Sequence, residues 1–317
     1  MSRISSNFNT SFIEMQYQKL IEETNMKKYL TDFFKEFEYD NEDADYFLSV
    51  YDEILKNERA FAILNEAVAA YEADIMIDHQ EEILGRAKTI SNITLIHPYT
   101  VDLLLYFCLT RHLKSVYVEK GLDMQIYRNT VLDLKWKLDE CKVIKGIRGS
   151  FVARWFGGFF KLGRFALGRL QFVPKTIDRD YEKDGVKLTG GVSRVIDVHI
   201  PRDGTPLDKE SCDKAYAMAR EFFKNEVGEN APFICHSWLL FPENKNLLSE
   251  KSNIYRFISE YDIVDFGYDE GGDLWRLFDT NEVNPERLPT DTSMRRAYVE
   301  HLKNGGRVGW GFGIKTN

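Results

Sequence analysis

The chain has 317 residues, of which 44% are hydrophobic and 14% aromatic, and it carries a formal net charge of −8. This length and composition predict a globular protein with well-packed cores and room for two domains. The acidic balance argues against a general affinity for nucleic acid, and no uncharged apolar run approaches the roughly 18 residues that a membrane span needs. We therefore expect neither a nucleic acid nor a membrane among its partners.

Four cysteines lie far apart in the sequence and form no Cys-x-x-Cys pair: Cys108, Cys141, Cys212 and Cys235. This spacing argues against a zinc ribbon, a redox dithiol and a secreted disulfide framework. The first ten residues lack the apolar core of a signal peptide. We expect a cytoplasmic protein without a metal site, and its oligomeric state stays open.

The first half of the chain has the periodicity of amphipathic helices. Thr100 precedes a stripe of apolar residues at steps of three and four, and a second such stripe starts near Met124, with Gly121 between the two. The segments 12–37 and 44–76 mix charged and apolar helix formers in the same way. The sequence therefore predicts an all-helical amino-terminal domain over residues 1–150.

A basic segment follows, which we define as residues 141–177. It contains no Asp or Glu but has eight positive charges, at Lys142, Lys145, Arg148, Arg154, Lys161, Arg164, Arg169 and Lys175. Such a segment either binds a phosphate-bearing ligand or pairs with carboxylates of the protein itself, and the sequence leaves both open. Glycines interrupt it between positions 146 and 168, and we place the domain boundary there.

Beyond this boundary strands and helices alternate, which predicts an α/β domain over residues 151–317. Strands are predicted at 168–173, at 193–200, near 274–278 and at 309–315. A helix with its N-cap at Thr205 or Asp208 is predicted to end at Gly228, and a last helix begins near Asp291. The fold class is therefore α+β.

The apolar stretch Ala231 to Pro242 is typical of a central strand that is buried on both faces. Within it His236 and Ser237 are the side chains that hydrogen-bond strongly, and alternation points them to opposite faces. Each is either satisfied by its neighbours or directed into a ligand cleft. Because a helix separates this strand from the one at 193–200, we expect the two strands to be parallel, with a right-handed crossover.

Five short motifs occur in order in the second half: 168–172 (Gly-Arg-Leu-Gln-Phe), 198–201 (Val-His-Ile-Pro), 235–240 (Cys-His-Ser-Trp-Leu-Leu), 252–254 (Ser-Asn-Ile) and 288–293 (Leu-Pro-Thr-Asp-Thr-Ser) with Arg295. This combination resembles a bacterial family described as acyltransferase-like. In that family a helical amino-terminal domain precedes a GNAT-like domain, named for the N-acetyltransferase superfamily. The resemblance implies a GNAT-like mixed sheet and transfer of an acyl group from an acyl-coenzyme A to a small-molecule acceptor.

A GNAT enzyme holds the pyrophosphate of its acyl-coenzyme A on backbone amides at the start of a helix, where the helix dipole favours an anion. The usual signature there is Gln/Arg-x-x-Gly-x-Gly/Ala. At this place the chain has residues 202–207 (Arg-Asp-Gly-Thr-Pro-Leu), with one glycine and with Asp203, which repels phosphate. Arg202, Gly204 and Thr205 are the candidate binding residues for acyl-coenzyme A as a co-substrate, and no tightly bound cofactor is expected.

Acyl transfer to an amine needs a general base for the amine proton and a donor for the departing thiolate. His199 or Asp197 can act as the base, and His236, Ser237 or Tyr255 can act as the donor. Each of these residues has an alternative role in packing or in a structural hydrogen-bond network.

Two other functions stay open. The same fold without a pyrophosphate loop can be a non-catalytic ligand-binding or regulatory module. A nucleophilic Cys235 or Cys141 is a third possibility, although neither has a histidine nearby on a predicted loop and a buried cysteine is usually inert.

Overall fold

The structure is a computed structural model that describes residues 25–269 and 274–316. Its contacts divide the chain into two compact units. One unit comprises the chain up to Gly121 together with Ile147–Phe160, and the other comprises Leu122–Gly146 together with the chain from Lys161 onwards.

The first unit is helical. Its helices are α1 (residues 25–36), α2 (Asn41–Leu55), α3 (Glu58–Ala73), α4 (Gln80–Thr94) and α5 (Pro98–Glu119); the chain then enters the second unit as α6 (Met124–Lys145) and returns as a 3-10 helix (Ala153–Phe156) and α7 (Gly157–Phe160). Asp40 and Asn57 cap α2 and α3 by accepting a backbone N–H, and Pro98 occupies the first turn of α5. Phe34 and Phe47 each pack edge to face on Phe107 in its core.

The second unit is built on a six-stranded sheet. The strands are β1 (Phe165–Leu167), β2 (Leu170–Thr176), β3 (Tyr181–Lys183), β4 (Val186–Leu188), β5 (Arg194–His199), β6 (Phe233–Ser237), β7 (Asp262–Asp269) and β8 (Val308–Lys315). The sheet order is β1-β2-β5-β6-β8-β7, and β3 and β4 form a separate hairpin. β5 and β6 are parallel, whereas the other neighbouring strands are antiparallel.

The helices of this unit are α6 and, after β5, α8 (Lys209–Val227), α9 (Asn244–Leu247), α10 (Asn253–Ser259), α11 (Leu274–Phe278) and α12 (Ser293–Lys303). Tyr216 of α8 contacts the rings of Phe172 and Phe233, so α8 covers one face of the sheet, which we call the α8 face. The register places Gln171, Asp197 and His236 on the opposite face. We call it the α6 face, because Asp133 of α6 binds Gln171 there.

The predicted fold class is confirmed: helices fill the first half, and a mixed sheet with helices follows. The parallel pairing of the strands on either side of α8 is also confirmed. In the structure α6 belongs to the same unit as the sheet. Independent folding of residues 1–150 and 151–317 stays a prediction.

Two predicted strands differ from the structure. The central strand is shorter than Ala231–Pro242, because β6 ends at Ser237 and Trp238–Leu240 is a 3-10 helix. The hydroxyl of Ser237 accepts the N–H of Leu239 at 3.2 Å, which caps that helix and stops the strand. The strand predicted near 274–278 is wrong, since Leu274–Phe278 is the helix α11.

The glycines of the last strand are explained by a close backbone approach. A Cβ added at Gly309, Gly311 or Gly313 would point to the α8 face. At Gly311 it would lie 2.1 Å from the carbonyl oxygen of Leu240. A Cβ at Gly309 would lie 2.6 Å from the ring of Phe241. The segment after β6 therefore lies directly against β8, and only glycine leaves room for it.

We predict that Gly311→Ala destabilises the second unit by at least about 1–3 kcal/mol, because the added methyl group meets backbone that cannot rotate away. Gly85→Ala is the matched control. Gly85 lies inside α4 with no atom within 4 Å of the added Cβ, so this change should stabilise by about 0.5–1 kcal/mol. Chemical denaturation measures both, and equal stability of the Gly311 variant and the wild type would contradict the packing described above.

Candidate active site

The parallel strands β5 and β6 share only a short hydrogen-bonded ladder. Two residue pairs are in register, Ile196 with Phe233 and Asp197 with Ile234. On its other edge β6 pairs with β8 along its whole length, from Phe233 to Ser237. The carboxyl ends of β5 and β6 therefore diverge. We call the region between residues 198–199 of β5 and 235–237 of β6 the inter-strand gap.

His199 lies at the end of β5, beside this gap. Its side chain is 23% exposed, and its Nε2 lies 3.7 Å from Oδ2 of Asp197. The same carboxylate oxygen lies 3.4 Å from Nζ of Lys175. Burial lowers the pKa of His199 to about 4; the charges of Arg164, Lys175 and His236 act in the same direction, while Asp197 opposes them. The imidazole is therefore neutral at physiological pH.

His236 lies across the gap on the same face as His199. It belongs to a central strand, yet its side chain is exposed to solvent. Its ring packs against the indole of Trp310, with 4.7 Å between the centroids. An exposed histidine in the middle of a sheet shows that none of the described residues covers the sheet at this point, so that the gap is open on the α6 face of the described structure.

The remaining two candidates lie elsewhere. Ser237 points to the α8 face, opposite His236, and its hydroxyl caps the following 3-10 helix. Tyr255 is half-buried on α10, and Nζ of Lys245 lies 6.0 Å from the centre of its ring. The structure thus brings Asp197, His199 and His236 together and separates Ser237 from them. The catalytic roles of all five residues stay predictions.

The candidate phosphate-binding loop, residues 201–208, precedes α8. Arg202 forms an ion pair with Asp279. Gly204 has a φ of +77° and open space around its α-carbon. Thr205 donates both its N–H and its hydroxyl to Oδ1 of Asp203, at 2.9 and 2.8 Å. A carboxylate of the chain itself therefore occupies this donor pair.

The first turn of α8 is also occupied by a carboxylate. Asp208 is the N-cap, and its Oδ1 accepts the N–H of Ser211 at 2.9 Å. These hydrogen bonds lower the pKa of Asp208, so the group is ionised at neutral pH. A phosphate at this helix end would meet a fixed negative charge in addition to the favourable dipole.

Arg169 holds the loop in place, a role that the sequence did not reveal. Its guanidinium donates to the carbonyl oxygens of Pro201, Thr205 and Pro206 at 3.0, 3.1 and 3.2 Å, and it lies 3.4 Å from Asp203. By binding three carbonyl oxygens, this arginine fixes the backbone conformation of the loop that contains Arg202 and Gly204. In the sequence it appeared as one charge of the basic segment and as a member of the motif 168–172, with no indication of its partners.

The other charges of the basic segment support the pairing interpretation. Arg148 bridges Asp43 and Glu42, and Arg154 pairs with Glu81. Lys175 pairs with Asp197, as described above. The segment is therefore not a free phosphate-binding surface at these positions.

The cysteines do not support nucleophilic catalysis. Cys235 and Cys141 are both buried, and burial raises the pKa of Cys235 well above its usual range. Over residues 25–269 and 274–316, no group of three or more His, Cys, Asp or Glu side chains is placed to hold a metal ion. No helix in that part of the chain is both long enough and apolar enough to cross a membrane.

Comparisons with known proteins agree with this architecture. Three solved structures share the fold, each covering 90% of this chain and 86% of their own. They are an acyltransferase in complex with decanoyl-CoA and teicoplanin (22% identity, TM-score 0.71), an acyltransferase mutant in complex with octanoyl-CoA (20%, 0.70) and an acyltransferase in complex with CoA and 10C-teicoplanin (20%, 0.69). No curated protein sequence matches the chain.

Two family descriptions account for nearly all of the described residues. Residues 28–162 match the N-acyltransferase N-terminal domain, and residues 165–315 match the GNAT-like C-terminal domain. The resemblance carried by the five sequence motifs is confirmed. The chain therefore belongs to the proteins that join an N-acyltransferase N-terminal domain to a GNAT-like C-terminal domain.

Proposed function

We propose that the protein is an acyltransferase that moves an acyl group from an acyl-coenzyme A to the amine of a small molecule. The observation that carries this proposal is the inter-strand gap, with the neutral imidazole of His199 on one side and the exposed His236 on the other. A gap between parallel strands leaves backbone N–H and C=O groups without a ladder partner. The amide groups of a pantetheine arm can pair with them.

The proposed reaction is a direct transfer. The amine nitrogen attacks the thioester carbonyl, a carbon–nitrogen bond forms and the carbon–sulfur bond breaks. Neutral His199 accepts the proton that the amine loses, and Asp197 stabilises the resulting imidazolium. The thiolate of coenzyme A takes a proton from a donor, for which His236, Ser237 and Tyr255 stay the candidates.

The donor substrate is proposed from the solved structures that share the fold. Those proteins are described with CoA, octanoyl-CoA and decanoyl-CoA. In this chain Arg202, Gly204 and Thr205 are the proposed contacts for its phosphates, and a phosphate at Thr205 would have to displace Asp203 from the backbone N–H. Asp203 and Asp208 oppose an anion there, so we expect the pantetheine arm to contribute more to affinity than the helix end does.

The second candidate function is a non-catalytic ligand-binding or regulatory module. The observation that favours it is that carboxylates of the chain occupy backbone donors both in the loop before α8 and in its first turn, and these donors could otherwise bind a pyrophosphate. Such a module would bind its ligand in the same gap without consuming it.

One experiment separates the two candidates. The protein is mixed with a panel of acyl-coenzyme A thioesters, from acetyl to decanoyl, and the thermal midpoint is measured, since a ligand that binds the native state raises it. Release of free thiol is then followed after adding an amine. A shift with amine-dependent thiol release supports the transferase, and a shift without release supports the module. No shift with any thioester contradicts the transferase and favours a module that binds another ligand.

We predict that His199→Gln lowers kcat/KM by roughly 10²–10⁴-fold, because glutamine keeps much of the shape but cannot accept a proton. The thermal shift caused by the donor should be retained, since the base does not hold it. His97→Gln, a histidine change in the first unit, serves as the control and should leave turnover unchanged. Equal turnover of the His199 variant and the wild type would exclude His199 as the base.

We predict that His199 also makes the protein sensitive to acid. Its pKa in the folded state is lowered to about 4 from 6.5, so the unfolded chain binds more protons as pH falls through this interval and stability decreases. The wild type should therefore lose about 2 kcal/mol more than His199→Gln between pH 7 and pH 5. Urea denaturation at the two pH values measures the difference, and parallel losses would show that His199 is accessible to protons in the fold.

We predict that Arg202→Glu weakens binding of a coenzyme A ester and that the loss is largest at low ionic strength, because salt screens a charge interaction at the surface. Arg287→Glu makes the same charge change at an exposed position of the second unit and should have little effect. Binding titrations at low and high salt compare the variants. Equal affinities for Arg202→Glu and Arg287→Glu would place the phosphates elsewhere.

A further inference from the structure

A buried polar pair lies behind the inter-strand gap. It consists of Asp133 on α6 and Gln171 on β2, whose residues are 1% and 0% exposed. Nε2 of Gln171 donates to Oδ1 of Asp133 at 2.8 Å. Gln171 lies directly opposite His199 in the ladder between β2 and β5, so that both side chains emerge on the α6 face.

This single hydrogen bond leaves an acceptor unused on each side chain. Oδ2 of Asp133 and Oε1 of Gln171 are both buried and have no hydrogen-bond partner among the described residues. Two unsatisfied buried acceptors in one contact are costly. A proton on Asp133 supplies the missing donor. The O–H of a carboxylic acid can donate to the amide C=O while its own C=O accepts one amide N–H, so that an acid and a primary amide bind each other twice.

The charged groups around Asp133 do not provide a dedicated counter-ion. Lys137, one turn along α6, lies 3.1 Å from Glu140, which balances its charge. Burial raises the pKa of Asp133 and Glu140 acts in the same direction, against the opposing effects of Lys137, the Gln171 hydrogen bond and Arg164. In the described part of the chain Asp133 forms no ion pair, as a buried carboxylate would need.

We infer that Asp133 is protonated at neutral pH, forms a reciprocal acid–amide pair with Gln171 and thereby acts as a positioning residue for His199. The protonated pair stands on its own, whereas the effect on His199 rests on the proposed function. A neutral Asp133 also places no negative charge behind the imidazole. Burial, with the positive charges of Arg164 and Lys175 acting in the same direction, then keeps the ring of His199 unprotonated, as a base requires.

The protonation state can be observed directly. Protein labelled with carbon-13 at the aspartate carboxyl groups is compared with the same preparation of Asp133→Asn by infrared difference spectroscopy at pH 7. The carbonyl stretch of a protonated carboxyl group should remain in the difference between the wild type and the variant. Asp102, whose pKa is raised to about 7 by burial, contributes equally to both proteins and cancels. A difference spectrum that contains only carboxylate bands would overturn the proposal. This measurement does not depend on any catalytic activity.

Substitutions test the positioning role. Asp133→Asn keeps a reciprocal pair, since two primary amides also bind each other twice, so its denaturation midpoint and the pH profile of kcat/KM should match the wild type. Asp133→Leu removes the partner of Gln171, and we expect a lower midpoint and at least a tenfold loss of kcat. If Asp133 is instead ionised, Asp133→Asn removes a negative charge near His199 and shifts the acidic limb of the profile to lower pH, which would contradict the proposal.

Thr130→Val is the matched control for a lost hydrogen bond on the same helix. Thr130 is buried on α6, and its hydroxyl accepts the N–H of Ala166 at 3.0 Å. This variant should lower the denaturation midpoint but leave the pH profile and kcat unchanged. If Thr130→Val and Asp133→Leu reduce kcat equally, Asp133 has only a structural role. If neither the wild type nor any variant transfers acyl groups, the infrared and denaturation results still decide whether the acid–amide pair exists.

Discussion

The second unit depends on how the chain leaves β6. The strand is paired with β8 along its whole length but with β5 over only two residues. After Ser237 the chain turns into a 3-10 helix that lies on the glycines of β8, where Gly311 admits the carbonyl of Leu240. β6 is therefore held from one side. The other side is free to diverge, and the inter-strand gap is the consequence.

The two faces of the sheet differ in the polarity of their side chains: the α8 face packs apolar rings, and the α6 face presents polar groups. On the α8 face Phe172, Phe233 and Tyr216 form a dry contact between strand and helix. On the α6 face the sheet presents Gln171, His199 and His236, and such groups are stable only with partners or in contact with water. The acid–amide pair inferred here satisfies Gln171, the deepest of them, while His236, the outermost, is exposed to solvent. A site that positions a base and also admits a substrate needs both kinds of polar group: buried ones that are hydrogen-bonded and hold the base, and exposed ones that the substrate can reach.

The sequence predicted the parts of the fold that have a strong period or a strong cap. The stripe after Thr100 predicted α5, and Asp208 marked the start of α8. β3, β4 and β7 were not predicted, because these strands are short or carry several charges, and their stability comes from pairing across the sheet. Of the site, Asp197, His199 and His236 were identified as candidates since they lie on predicted strands. Arg169 and Asp133 were not, because their importance lies in contacts with distant carbonyls and with an amide.

In the loop before α8, carboxylates of the chain itself bind backbone N–H groups that a pyrophosphate could otherwise bind. A glycine-rich loop binds a pyrophosphate with backbone N–H groups. Here Asp203 and Asp208 accept hydrogen bonds from such N–H groups, and Arg169 donates hydrogen bonds to three carbonyl oxygens of the loop. These contacts stabilise the loop without an anion. A loop that is satisfied by its own carboxylates gains less from phosphate than one with open donors. If this protein binds an acyl-coenzyme A as proposed, the affinity must therefore come mainly from the inter-strand gap, where β5 and β6 share only two residue pairs and His199 lies at the edge.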